Sequence, residues 1–256
     1  MSAALAAAAF GLDLLLGDPR GWPHPVVWLG RLIGRLEALW AGLLGRTRLA
    51  GILLTGSTLA VAGGIAWGVL ALAGQVHPWL GVAVALWLAW SCLALRALHV
   101  ESLAVVRRLE AGDLAGARQA LSMIVGRDTA ALDEGGVLRA TIETVAENTS
   151  DGVVAPLFYL CLGGPVAALL YKAGSTLDSM VGYDNERYRA VGWASGRLDD
   201  GLNLLPARLT GVLFVVAAAC LRLDAAGAWR ILRRDARKHK SPNAGFPEAA
   251  VAGALG

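Results

Sequence analysis

Charge is what this 256-residue chain has least of: Asp, Glu, Lys and Arg make up 17% of it, against roughly a quarter in soluble domains. The scarcity is uneven. From Leu49 to Leu95 there is no charged residue at all, a run of 47 positions. Cysteine is limited to Cys92, Cys161 and Cys220, each inside an apolar run, without CxxC spacing or a nearby His. The three therefore read as small buried hydrophobes rather than metal ligands. Of the 23 basic residues only Lys172, Lys238 and Lys240 are lysines. There is no GxxxxGK[ST], and no GxGxxG following a strand pattern, so a nucleotide site here is neither a P-loop nor a Rossmann crevice. The N-terminus lacks a basic region, carries Asp13 inside its apolar stretch and shows no clean cleavage signal. It reads as a retained membrane segment rather than a secretory leader.

What is present is apolar. Counting Gly and leaving out Tyr, about two-thirds of the residues are apolar, where soluble domains show about half. Mean hydropathy is +0.54. A disordered chain, a collagen-like repeat and an ordinary water-soluble fold all fit poorly, and a membrane protein fits well.

The uncharged run 49–95 has the length of two spans of about 20 residues each plus a turn. His77-Pro78 supplies the turn, because proline lacks an N–H and pushes the residue before it out of helical geometry. A helical hairpin over about 50–96 follows. Gly152 to Tyr171 is a second uncharged stretch, broken by Pro156 and by Gly163-Gly164-Pro165. It is either one kinked span or a re-entrant pair of half-helices. Leu204 to Leu221 is a weaker membrane segment, since Arg208 lies in its first turns. The apolar run Ala249 to Gly256 is too short to cross.

Between these lie a polar helical region, 97–151, a polar motif region, 172–203, and a basic region, 222–248. In the first, Leu114, Ala117, Leu121 and Ile124 recur at helical spacing behind Asp113, a suitable N-cap, and a second helix is expected over about 133–149. No strand pattern competes. The expected fold is all-α: one polytopic integral-membrane domain over 1–256, with about four to five apolar segments, one or two of them re-entrant. Segments 18–48 and 222–248 carry net charges of +3 and +4, which places them in the cytoplasm by the positive-inside rule. Region 172–203 lies outside if both weak segments span, and inside if both are re-entrant.

The sharpest local pattern is Glu143, Glu147 and Asp151, with Arg139 before them. Steps of four residues turn only about 40° around a helix, so these charges form one stripe ending where the apolar run begins. Crowded carboxylates beside a membrane are unfavourable unless cations neutralise them, which suits Mg²⁺ ligation. The plain alternative is a solvated face with an Arg139–Glu143 pair. A second acidic set comprises Asp178 and Asp199-Asp200, with Arg197, Asn203 and Arg208 nearby in sequence. It is a mixed-charge group of the kind that grips metal and phosphate together, or a series of helix caps. Gly17-Asp18-Pro19 and Pro23-His24-Pro25 form a rigid loop, in which Asp18 caps a helix beginning at Pro19 or His24 makes a functional contact. The block from Ser241 to Glu248 reads as a tight loop leading into a helix whose N-terminus suits an anion.

Taken in order, these blocks resemble the adenosylcobinamide-phosphate synthases of the CobD/CbiB type, membrane proteins of cobalamin assembly. The matching pieces are Gly17-Asp18-Pro19 with Pro23 to Val26, Val125 to Thr129, Glu143 to Asn148 with Asp151-Gly152 and Ala155-Pro156, Thr176 to Tyr183, Arg197 to Asp200 with Pro206 to Leu209, and Ser241 to Ala249. They span nearly the whole chain. Ser175 stands where that family usually has Asn, and its members usually continue for some tens of residues beyond the last block into a further membrane segment.

The resemblance implies an ATP-dependent amide ligation, in which aminopropanol phosphate or a related amino-alcohol joins a propionate of the corrinoid adenosylcobyric acid. It implies Mg²⁺ and ATP as cofactor and co-substrate. Glu143, Glu147, Asp151, Asp178, Asp199 and Asp200 are then the metal-binding candidates. Arg127, Lys172, Arg197, Arg208, Asn148 and Asn203 face ATP phosphates or the corrin carboxylate, and Asp178, Asp200, Glu147 and His24 are the catalytic candidates. The expected setting is the bacterial inner membrane, with the site and region 172–203 toward the cytoplasm. Other membrane enzymes of cobalamin assembly are conceivable partners, and nucleic acid is not expected. A small-molecule transporter and a non-catalytic scaffold or signalling relative are the competing classes. The transporter predicts matching halves, and no such repeat is visible.

Overall fold

Helix is the only regular structure among the residues described by a computed structural model of the chain, namely 2–18, 21–22, 24–183 and 185–256. In chain order the helices are α1 (Ser2–Leu16), α2 (Pro25–Leu44), α3 (Arg48–Val76), α4 (Pro78–Trp90), α5 (Leu95–Glu110), α6 (Leu114–Ser122), α7 (Glu134–Thr149), α8 (Ala155–Val181), α9 (Trp193–Leu202), α10 (Leu204–Cys220), α11 (Ala225–Asp235) and α12 (Gly245–Leu255). A π-helical turn, Ser150–Val154, joins α7 to α8, and a 3₁₀ turn, Ala236–Lys238, follows α11. The start expected at Pro19 for a helix capped by Asp18, Arg20 of the basic count, and Pro23 lie outside the described residues.

Among the described residues three stretches are long and apolar enough to cross a membrane: Arg48–Val76, Pro78–Glu110 and Glu134–Val181. A fourth is added if Trp193–Leu202 and Leu204–Cys220 count as one broken span, while Ala3–Leu16 is apolar but shorter. The protein is thus an all-α, polytopic membrane protein. α3 shows why. Apart from Leu54, its buried positions are small, including Ala50, Gly51, Ala62, Ala66 and Ala73, while Ile65, Trp67, Leu72 and Val76 on its other faces are more than 60% exposed. A soluble helix would bury the large residues. In lipid, which is as apolar as leucine, small residues pack helix against helix and large ones face the acyl chains.

The same physics corrects one expectation. Cys92 is buried, but Cys161 and Cys220 are exposed. On a membrane helix an apolar run surrounds the whole circumference, so it does not tell which side of the helix a thiol is on.

The chain forms two compact units: Met1–Leu93 with Ala155–Asn203, and Ala94–Val154 with Leu204–Gly256. In the first, α1 to α4 pack with α8 and α9 around Leu29, Leu88, Leu93, Leu160 and Leu169, with a second cluster of Ile33, Leu54, Leu177, Val181 and Val191. α3 stops at Val76. His77 then caps α4, its Nδ1 accepting from the Trp79 N–H, and Pro78 takes the first helical position, where no N–H is needed. α8 is interrupted at Gly163 and Gly164, the latter at φ +72°, just ahead of Pro165.

In the second unit, Val105, Ala117, Leu121, Val137 and Ala140 join α5, α6 and α7. Asp113 and Asp133 cap α6 and α7 through the N–H groups of Gly116 and Gly136. Leu232, Ala236, Ala249 and Ala250 join α11 to α12. Pro156 has no N–H to offer the carbonyl of Gly152, and that carbonyl accepts instead from the Ala94 N–H at 3.0 Å. The π turn therefore sits where the helical ladder is already broken.

Candidate functional site

Each unit gathers its own set of the residues singled out by sequence. In the first unit, α8 carries Asp178 and α9 carries Arg197, Asp199 and Asp200. Asp178 and Asp200 lie within electrostatic range of each other. A Cβ on Gly196 would stand 3.3 Å from Asp178 Oδ1, so the bare backbone of α9 makes room for that carboxylate. Arg197 Nη1 reaches Asp200 at 3.4 Å.

Asn203, at the C-cap of α9, is 2% exposed and hydrogen-bonded at both ends of its amide. Its Oδ1 accepts from the Tyr171 hydroxyl at 2.8 Å, and its Nδ2 donates to Asp199 Oδ2 at 3.1 Å. Tyr171 stacks on Tyr159, whose hydroxyl donates to the Leu202 carbonyl. This chain of hydrogen bonds locks α9 onto α8 and thereby fixes where Asp199 and Asp200 stand. Lys172 is half-buried on α8, with its carbonyl accepting from the Thr176 hydroxyl.

His24 is engaged at both ring nitrogens. Nδ1 accepts from the Val26 N–H at 3.3 Å, capping α2, and Nε2 lies 3.1 Å from Asp18 Oδ1. An accepting Nδ1 places the proton on Nε2, which donates to Asp18.

In the second unit the centre is α7. Glu143 pairs with Arg127 at 2.5 Å, where helical spacing alone had pointed to Arg139. The loop 125–133 folds back over α7, and Thr144 Oγ1 donates to the Ile124 carbonyl. Asn148 is tied to its own helix, its Nδ2 donating to the carbonyl and hydroxyl oxygens of Thr144. Asp151 sits half-buried in the π turn, a feature often found at functional sites.

The block from Ser241 to Glu248 closes on α7 through α12. Ser241 Oγ accepts from the N–H groups of Asn243 and Ala244, and His239 Nδ1 accepts from the Ser241 N–H. Arg208 on α10 donates to Asn243 Oδ1 at 3.3 Å and lies 4.3 Å over the Phe246 ring. His239 Nε2 is 3.9 Å from Glu248. Burial pushes the Glu248 carboxyl above its ordinary range. His239 and Arg127 pull it back, while Glu147 and Glu143 push with burial.

His239 and Glu248 were not among the site residues named from sequence. His239 stands between Lys238 and Lys240 and looks like part of a basic run, and only folding brings α12 to α7. Among the described residues no group of three or more His, Cys, Asp or Glu is placed to cage a metal ion. The available carboxylate pair, Asp178 with Asp200, suits Mg²⁺ arriving with phosphates, since that ion commonly takes one or two carboxylates and fills its octahedron with phosphate oxygens and water.

Comparison with known proteins places this arrangement. The family described as CobD/Cbib protein matches residues 6–256. A cobalamin biosynthesis protein CobD of Geobacter metallireducens is 56% identical over 245 residues, covering 96% of this chain and 77% of the relative. One from Klebsiella pneumoniae is 51% identical, covering 97% of this chain and 79% of the relative. A cobalamin biosynthesis protein CbiB of Salmonella typhimurium is 49% identical with the same coverage, 97% and 79%. No solved structure matches. With its family match running nearly end to end and three such relatives at about half identity or more, the chain belongs to the CobD/CbiB family of cobalamin biosynthesis proteins.

Proposed function

We propose that the protein is an ATP-dependent amide ligase that joins aminopropanol phosphate, or a related amino-alcohol, to a propionate of adenosylcobyric acid at the cytoplasmic face of a bacterial inner membrane. Family membership supports the pathway. The observation that carries the chemistry is the Asp178 and Asp200 pair, presented by α8 and α9 and held by the Tyr171–Asn203–Asp199 chain.

A carboxylate is a poor electrophile, so the propionate first takes the terminal phosphoryl group of ATP, releasing ADP. The amine then attacks the acyl carbon, and inorganic phosphate leaves. Both steps bring several negative charges together. Asp178 and Asp200 hold the Mg²⁺ that accompanies ATP, which when bound offsets phosphate charge. Arg197 stands beside Asp200, ready to turn to a phosphate oxygen. The substrate ammonium gives up one proton to become the attacking amine and a second as the amide forms, to water or to the departing phosphate.

The test is mass spectrometry of the detergent-purified protein incubated with adenosylcobyric acid, aminopropanol phosphate and MgATP. The expected result is the amide with stoichiometric ADP. Asp178→Asn and Asp200→Asn should each lower turnover by about 10²-fold or more, the scale of losing one group that stabilises transition-state charge. Unchanged turnover in both folded variants rejects the metal assignment. A correctly folded parent that forms no amide favours the scaffold reading.

A further inference from the structure

The helix α11 and the turn after it present a charged face that the chemistry above does not use. α11 packs through Gly227, Ala228 and Leu232, and Ala236 continues that face. At 100° per residue, Ala226, Trp229, Arg230, Arg233, Arg234 and Arg237 fall on the remaining arc, and all six are exposed.

Both acidic residues of the segment are already occupied. Asp224 Oδ1 accepts from the Gly227 N–H, and Asp235 binds Arg234 and Lys238, each at 2.6 Å. Those two cations hold the Asp235 carboxyl well below the usual range. Among the described residues Arg230, Arg237 and Lys240 have no acidic partner, and Arg233 faces only the Trp229 ring, at 5.9 Å. Trp229 at the edge of the arc is 46% exposed, and Leu221 and Leu223, just before the helix, are 71% and 45% exposed.

We propose that this face docks on a bilayer surface containing anionic phospholipid, with Arg230, Arg233, Arg237 and Lys240 on headgroup phosphates and Leu221, Leu223 and Trp229 at the acyl boundary. Charge complementarity selects an anionic partner. The apolar residues flanking the stripe select a membrane over a nucleic acid, because an amphipathic helix with arginines on one side and Trp and Leu beside them is built for an interface. Continuity supplies the reach: the apolar α10 ends at Cys220, and α11 starts at Ala225. The inference stands apart from the ligase reading, since it needs no turnover.

The experiment places the full chain, with Ala226→Cys as the one remaining cysteine and a bimane label on it, in nanodiscs of phosphatidylcholine alone or mixed with phosphatidylglycerol. A blue shift in the anionic discs is expected. It should be reversed by high salt and lost when Arg230, Arg233, Arg237 and Lys240 are all changed to Gln. Native mass spectrometry of the unlabelled wild-type chain should likewise show phosphatidylglycerol retained preferentially, several-fold more than in the quadruple variant. Equal emission in both bilayers, a shift that survives in the quadruple variant, equal lipid retention, or a shift produced only by added RNA or ATP would overturn the proposal.

Discussion

Glu248 illustrates what a single residue can report. Its carboxyl is raised by burial and by the nearby Glu147 and Glu143, against the pull of His239 and Arg127. A raised carboxyl favours the folded state when protonated. Its contribution is therefore complete below the ordinary glutamate value of 4.5, and is lost as pH rises through the higher folded value. Glu248→Gln should flatten the decline of Tm with pH between those two values, and should raise Tm near neutrality. Thermal unfolding of the detergent-solubilised protein across mildly acidic to neutral pH reads this directly, and an unchanged slope would remove Glu248 as its source. Asn203 teaches the opposite lesson. Its sequence setting beside Asp199-Asp200 suggested a ligand contact, yet both ends of its amide are spent inside the protein on Tyr171 and Asp199. Both partners were visible in the sequence, but the stacking of α9 on α8 was not.

At the scale of elements, α3 separates packing glycines from incidental ones. A Cβ on Gly51 would come 2.1 Å from the Val191 carbonyl oxygen, whereas one on Gly56 meets nothing within 4 Å. Gly51→Ala should therefore destabilise by about 3 kcal/mol or more, because a backbone atom cannot swing aside. Gly56→Ala should be neutral or gain up to ~1 kcal/mol from helix propensity. Denaturation of the two variants side by side makes the comparison, and equal stability would contradict the close approach of α3 to the segment around Val191. Helix boundaries were largely readable because they depend on local chemistry: His77-Pro78, Asp113 and Asp133 act through atoms within three residues of themselves. The break in α8 was readable too, since Gly163-Gly164-Pro165 cannot continue a helix. The π turn at Ser150–Val154 was only half readable: Pro156 marks the break in the ladder, but the Ala94 N–H that takes the Gly152 carbonyl comes from a remote segment.

Sidedness is a property of the whole molecule. Both basic segments favour the cytoplasm by the positive-inside rule, and the proposed ATP-dependent ligation would need its acidic groups on that side. A cysteine introduced at Ser175, close before Asp178 on α8, should react with an impermeant maleimide in inverted vesicles and stay unlabelled in intact cells. Labelling from outside would place the Asp178 region on the wrong side for the proposed reaction.

Composition by itself determined the solvent: a chain this poor in charge suits lipid, and 47 consecutive uncharged residues match helical spans rather than the short alternating strands of a barrel. Motif order pointed to the family. Tertiary structure decided which charges meet. The stripe of Glu143 and Glu147 was set by helical spacing, but its partners Arg127, His239 and Glu248 come from a loop and a distant helix. Pairing between remote segments depends on how apolar faces pack, and on membrane helices those faces run all the way round. The apolar pattern that announced the helices therefore left open which of their sides would meet.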